Sequence, residues 1–223
     1  ISNIYNLNEN NKIVKLVTLG EEKSFIWKTN KSILFPSIRN EKDKERKKKG
    51  EVFTSYYEMP IEGGEPKKAF EIPLNVNDIK KIDDENYLII AIFNPDYRGF
   101  ENLSDKEKEI ALNQMKEKSD YEIFDEIPFW SNGEGYTNKK RSMLYIYNIN
   151  SKEIRKITDE FSNVIHYALN SDKNHIVFIT SSFIDKMSAY TNLNIYSIDQ
   201  NKYEKIMPLE KCNYSYCDFL NDN

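Results

Sequence analysis

Along the sequence an apolar strand carrying tyrosine repeatedly leads into a polar turn and a second short strand. The strands are Asn3-Ile4-Tyr5-Asn6-Leu7, Ser55-Tyr56-Tyr57-Glu58-Met59, Leu144-Tyr145-Ile146-Tyr147-Asn148-Ile149 and Leu193-Asn194-Ile195-Tyr196-Ser197-Ile198. A supersecondary unit that recurs at this scale buries its faces only against its neighbours, so the repeat restricts the chain to an array of such units.

The third copy shows the unit best. Ile165-His166-Tyr167-Ala168-Leu169 runs into the turn Asn170-Ser171-Asp172-Lys173-Asn174, then Ile176-Val177-Phe178-Ile179-Thr180, then the strand of Tyr196, then Lys205-Ile206-Met207-Pro208. Two earlier copies align with it: 24–27, 33–35, 55–59 and 67–70, then 76–82, 87–93, 144–149 and 154–158, with turns at 28–31 and 83–86. Half a unit precedes them, at 3–7 and 13–18, and residues 215–220 with a turn-like 221–223 follow.

Short strands separated by Asn, Asp and Ser clusters read as an all-β array. Four antiparallel strands in about 40 to 45 residues suit a propeller blade. The expected fold is therefore all-β, a partial β-propeller of about three to four four-stranded antiparallel blades, with a helical insertion near residues 104–118. Its expected parts are a half unit 1–20, a repeat 21–72, a repeat 73–160 carrying an insertion 94–142, a repeat 161–210 and the start of a further unit 211–223. A ring cut open leaves strand edges, near 4–7 and 215–220, that recruit other strands. The expected partner at those edges is the rest of a longer polypeptide or a second copy of the chain.

Composition narrows the function classes. The 15 Tyr and 12 Phe supply apolar surface with a polar tip where Tyr is used. A net charge of -4 offers no global field for nucleic acid. The longest apolar run, 87–93, is far short of the roughly 20 residues that span a bilayer and reads as a strand buried on both faces. No membrane partner is expected. Cys212 and Cys217 fall outside a C-x-x-C spacing and have no second pair to complete a zinc site, so they read as ordinary core or edge thiols. No secretory segment opens the sequence, the cytoplasm is the default compartment, and Ile1 in place of an initiator Met points to an excised or processed chain.

Two insertions interrupt the repeats. In 39–50 the basic residues are interleaved with Glu41, Asp43 and Glu45, with Glu51 just beyond, which suits a solvated loop or short helix rather than a phosphate-binding stripe. In 94–142, Ser104 and Glu107 form a capping-box pattern, so a helix starts at Asp105 and carries Ile110, Ala111, Leu112 and Met115 inward. The aromatic, turn-rich stretch 125–137 that follows is the best local candidate for a packed, functional loop.

No residue qualifies as a catalytic, cofactor or metal site. Gly133 and Gly135 lack the third glycine and the helix of a dinucleotide cradle, and neither a Walker loop nor a G-x-S-x-G elbow occurs. His166 and His175 flank one hairpin with Asp172 in its turn, short of the three convergent ligands a metal needs, and read as structural. Asp83-Asp84 and Asp125-Glu126 are adjacent pairs that point to opposite faces on a strand, so capping or turn roles are expected.

Three segments give the chain a family likeness. They are Glu41 to Gly50 leading to Thr54-Ser55-Tyr56-Tyr57 and Ile61-Glu62-Gly63-Gly64-Glu65, the stretch Tyr121-Glu122-Ile123-Phe124-Asp125-Glu126-Ile127-Pro128-Phe129-Trp130, and Asn132-Gly133-Glu134-Gly135-Tyr136-Thr137 running into Leu144-Tyr145-Ile146-Tyr147. On them the sequence resembles the prolyl oligopeptidase family of serine peptidases, in its acylaminoacyl-peptidase-like branch. The resemblance implies an N-terminal β-propeller without cofactor, placed over a C-terminal α/β-hydrolase domain that holds the Ser, Asp and His triad. It implies that this chain is propeller only and gates the access of short peptide substrates. The alternative expectation is a free-standing scaffold that self-associates and uses the 129–136 loop as its contact surface.

Overall fold

A computed structural model describes residues 4–7, 11, 13–16, 24–118, 120–121, 123–133, 135–184, 186–206 and 211–220. Asn3, Val17, Thr18, Glu122, Glu134, Met207, Pro208 and 221–223, used in the strand, motif and turn assignments above, lie outside the described residues. The chain divides into two compact units, Ile1–Lys81 and Ile82–Asn223.

In the first unit, β1 (Tyr5–Leu7) and β2 (Ile13–Lys15) pair antiparallel as a two-stranded sheet. A four-stranded antiparallel sheet follows, in the order β3 (Ile26–Thr29), β4 (Ser32–Pro36), β5 (Thr54–Pro60), β6 (Lys67–Ile72). Strands β4 and β5 are linked through α1 (Glu41–Lys48). Ile4 and Leu16 of the half unit close over Ile33, Phe35, Tyr57 and Met59, which removes these side chains from water. β7 (Asn75–Lys81) ends the unit.

The second unit opens with β8 (Asn86–Phe93), whose Tyr87, Leu88, Ile89 and Ala91 are all buried. Consecutive burial of this kind needs cover on both faces, as the unbroken apolar run predicts. After β8 come two short 3-10 turns, α2 (Asp105–Glu117), β9 (Trp130–Ser131) and β10 (Gly135–Tyr136), before the chain rejoins the sheet as β11 (Arg141–Asn148) and β12 (Ile154–Lys156). The sheet order is β12-β11-β8-β7.

The last sheet has the order β13 (Ser162–Leu169), β14 (His175–Ile184), β15 (Lys186–Ser197), β16 (Lys202–Ile206). One of its faces joins Leu88, Leu144 and Ile146 of the neighbouring sheet through Val164, Tyr167, Ile176, Phe178 and Tyr196. The chain is thus all-β with a helical insertion, and among the described residues three sheets share one four-stranded antiparallel meander and none closes on itself.

Turn chemistry sets these hairpins. The Asn170 Oδ1 accepts from the backbone N–H groups of Asn174 and His175 at 3.0 and 2.8 Å, while Lys173 takes φ +58°. Asp83 Oδ1 does the same for Glu85 and Asn86, both at 2.8 Å. An Asx side chain that satisfies two turn amides fixes the reversal locally.

Four expectations need correction. Ser215 to Leu220 forms no strand; residues 211–220 run as an irregular cover over the last sheet, because their side chains pack on its face while their backbone forms no ladder with it. Ile110 is 51% exposed, and α2 instead buries Leu112, with Ala111 and Met115 half-buried. The third-copy strands run well past 180 and begin well before 193, forming one long hairpin. Finally, α1 is a helix but is not simply solvated, since Asp43 is buried.

Candidate functional site

The segment between β8 and β11 is the most elaborate excursion in the molecule. Ser104 caps α2 as the sequence predicts: its side chain accepts from the Glu107 N–H at 3.4 Å, and the Glu107 carboxylate accepts from the Ser104 N–H at 2.8 Å. The Ser104 hydroxyl, which donates to the Glu107 Oε2 at 2.6 Å, and then the Ser104 N–H hold the Glu107 carboxyl below the usual glutamate range.

The loop beyond α2 is anchored from below. Glu126 and Arg141 form an ion pair with side chains only 7% and 3% exposed, and the Glu126 Oε1 also accepts from the Lys139 N–H at 3.0 Å. The Arg141 guanidinium lies 3.8 Å from the centre of the Phe183 ring, on the long hairpin. Ile127 makes a parallel bridge with Lys186 at the tip of that hairpin, where the Met187 N–H donates to the Ile127 carbonyl at 2.9 Å. The excursion of one sheet is thereby strapped to the hairpin of the next.

Above this anchor the side chains are apolar and face outward. Phe124 packs at 4.6 Å on Phe129 and at 5.1 Å on Tyr136, centre to centre. Trp130 and Tyr136 sit opposite each other in the β9–β10 hairpin. Ile123, Ile127, Trp130, Tyr136, Ile184 and Met187 are all exposed. An apolar cluster that is rigidly backed yet left in water is the usual mark of a contact surface. Gly133 and Gly135 take φ +86° and +77°, which is what the tight reversal between β9 and β10 requires, and they serve the turn.

The other candidate residues stay apart. His175 Nδ1 lies 2.8 Å from Asn174 Oδ1 at the base of the hairpin. His166 pairs with Ile179, four residues further along β14, so the two imidazoles are separated by about 13 Å of strand. Asp172 is exposed in the turn. Asp125 forms an ion pair with Lys139, while its neighbour Glu126 turns inward to Arg141, and neither lies on a strand. Burial pushes the Asp83 carboxyl up, but hydrogen bonds from Asn86 and the Glu85 amide outweigh it and hold the group below the ordinary aspartate range. No cluster of three or more metal-ligating side chains occurs among the described residues. None of their helices is long and apolar enough to cross a membrane.

Sequence reasoning located the 125–137 loop but missed its support. The run Ile176 to Ile184 is nine residues of β-compatible character that continues through Ser181 and Ser182, and that continuity was the available signal for a longer hairpin. The Glu126–Arg141 pairing had no such signal, being fixed by the loop's path rather than by spacing.

No protein-family model matches the chain, and no curated protein matches it. Solved structures do. The uncomplexed acylaminoacyl peptidase of Pyrococcus horikoshii is 13% identical, with 92% of this chain and 27% of that one covered at a TM-score of 0.55. Its orthorhombic crystal form is 13% identical over 88% of this chain and 26% of that one, at 0.54. An acylaminoacyl peptidase in complex with Z-Gly-Gly-Phe-chloromethyl ketone is 16% identical over 92% and 30%, at 0.51. The chain spans between a quarter and a third of the length of these structures. At such low identity the likeness is one of fold, and the fold is that of a partial β-propeller built from four-stranded blades.

Proposed function

We propose that this chain is the non-catalytic propeller portion of an acylaminoacyl-peptidase-like serine peptidase, restricting which peptides reach an α/β-hydrolase domain. The observation that carries the reading is the match of 92% of this chain to 27% of an acylaminoacyl peptidase. The repeat supports it too: each four-stranded sheet places its elaboration, α1, the 94–140 excursion or the long hairpin tip, between its second and third strands. Elaborations in one topological slot fall at the same end of each four-stranded unit, where loops can vary without disturbing the sheet.

The test joins two assays. The chain alone is expected to remain unlabelled by a serine-directed phosphonate probe and to leave N-acylated amino-acid esters intact; labelling would overturn the non-catalytic assignment. In the polypeptide that carries a hydrolase domain, removal of 1–223 is expected to raise cleavage of a long unfolded peptide relative to a short blocked one by about tenfold or more. An unchanged ratio would contradict gating.

A second reading rests on the outward-facing Trp130 and Tyr136: a self-associating scaffold that binds proteins through 129–136. It requires one closed oligomer by sedimentation, whereas the propeller-portion reading requires concentration-dependent, heterogeneous association.

A further inference from the structure

We propose that Cys217 and His166 form a thiol–imidazole couple at which a low-molecular-weight disulfide modifies the protein, and that this modification detaches residues 211–220 from the sheet they cover. The inference is independent of the peptidase reading.

A β-bulge builds the couple. Val164 pairs with Thr180 and His166 with Ile179, so Ile165 is an extra residue in β13. The alternation of faces is reset there: Val164 and Tyr167 both enter the core shared with the neighbouring sheet, and Ala168 turns to the opposite face, where Val177, Ile179 and Cys217 cluster. His166 is re-aimed with Ala168. Its Nδ1 stands 3.6 Å from the Cys217 Sγ and 3.5 Å from the Cys217 backbone nitrogen. Because that N–H donates to Nδ1, the ring carries its proton on Nε2, and the thiol meets Nδ1 as an acceptor. The Tyr216 ring packs on the imidazole at 4.5 Å, and the Tyr216 hydroxyl donates to Asp218 at 2.9 Å.

The cover that carries Cys217 is irregular and pairs with no strand of the sheet. Thr191 provides its polar anchor: the Thr191 N–H donates to the Cys212 carbonyl at 3.3 Å, the hydroxyl donates to the Tyr214 carbonyl at 3.1 Å, and the same oxygen accepts the Tyr214 N–H at 2.6 Å. Cys217 and Phe219 also pack on Ala168, Val177 and Ile179. A segment that forms no strand ladder with the sheet it covers opens locally and presents its thiol to solutes.

The chemistry balances with a small disulfide, RSSR. The Cys217 proton passes to Nδ1, the thiolate attacks one sulfur, the S–S bond breaks as the new mixed disulfide forms, and the departing RS⁻ takes the proton from the imidazolium as RSH. Cys217 is oxidised, and one half of the small disulfide is reduced. The unmodified side chain is only 8% exposed, in a space sized for a cysteine, so the added group cannot be reburied and the cover stays off the sheet. Excess thiol reverses the step.

Cys212 is an internal reference. It is half-buried where Cys217 is buried, so exposure alone makes Cys212 the faster thiol. The full chain is treated with oxidised glutathione from pH 5.5 to 8.5, and each cysteine is followed by peptide mass mapping. At pH 6.5 Cys217 is expected to react about tenfold faster than Cys212, and His166→Gln to slow Cys217 about tenfold while Cys212 keeps its rate. Amide exchange of 211–220 is expected to rise in the modified protein. Equal or slower reaction at Cys217, an unchanged rate in His166→Gln, or retained protection after modification would each overturn the proposal. Should His166→Gln not fold, the wild-type rate ratio and the exchange measurement decide alone.

Discussion

The connection between β4 and β5 and the connection between β8 and β11 occupy the same position in successive repeats, yet they are held by opposite means. α1 has no apolar side chain in Glu41–Lys48, so it cannot dock by hydrophobic burial and docks by charge instead. Arg46 forks onto Glu51 at 2.9 and 2.7 Å and onto Glu71 at 3.0 and 2.8 Å, and reaches Asp43 at 3.2 Å. Lys68 bonds Asp43 at 2.8 Å and Glu71 at 2.7 Å. The guanidinium also lies 3.9 Å from the centre of Phe53, which is 1% exposed. The later excursion has one deeply buried pair, Glu126 with Arg141, and turns its aromatic side chains outward. The first slot is filled by a lock and the second by a display. The difference follows from where apolar residues were placed: beneath α1 in Phe53, but on the rim in Phe129 and Trp130.

The largest effect is expected at Arg141. Arg141→Ala leaves Glu126 charged and buried, and a loss of about 3 kcal/mol is expected in urea unfolding, with faster amide exchange at Met187 and Lys139. Arg46→Ala is expected to cost about 2 kcal/mol, less because its side chain is 26% exposed and Lys68 remains to bind Asp43 and Glu71. Loss of amide protection confined to the later excursion would show that α1 is not the lock described.

Acid sharpens the same contrast. Burial pushes the Asp43 and Glu71 carboxyls up, but hydrogen bonds from Lys68 and Asn40 to Asp43, and from Arg46 and Lys68 to Glu71, hold both below their ordinary values. Depressed folded values mean that the unfolded chain binds these protons more readily. Their contribution is therefore complete above the unfolded values of 4.5 and 3.8 and is lost as pH falls through the lower folded ones. Amide exchange of α1, corrected for intrinsic rate, is expected to accelerate below about pH 4. The smallest stability effect is expected at Trp130, which is 53% exposed: Trp130→Ala should change the unfolding free energy by less than about 0.5 kcal/mol while weakening any partner bound at the rim.

What the sequence disclosed follows from how local each signal is. The Asp83 and Asn170 turns and the Ser104–Glu107 box act within a few residues, and each is found where the sequence placed it. The lock on α1 joins residues up to 25 apart, and the Glu126–Arg141 anchor depends on the path of an irregular loop. Neither leaves a periodic trace. The Ile165 bulge is similarly silent, because one added residue changes which face His166 takes without changing the apolar pattern around it. Cys212 and Cys217 read as unremarkable thiols until the fold sets Cys217 beside His166, 51 residues away.

The central claim is that these meanders are part of a propeller serving a hydrolase encoded in the same polypeptide. Sequencing the transcript beyond the codon for residue 223 tests it most directly. A continuous reading frame is expected there, supplying a G-x-S-x-G elbow followed by Asp and His in hydrolase order. A frame that stops there, or continues into a domain without a nucleophile elbow, would contradict it.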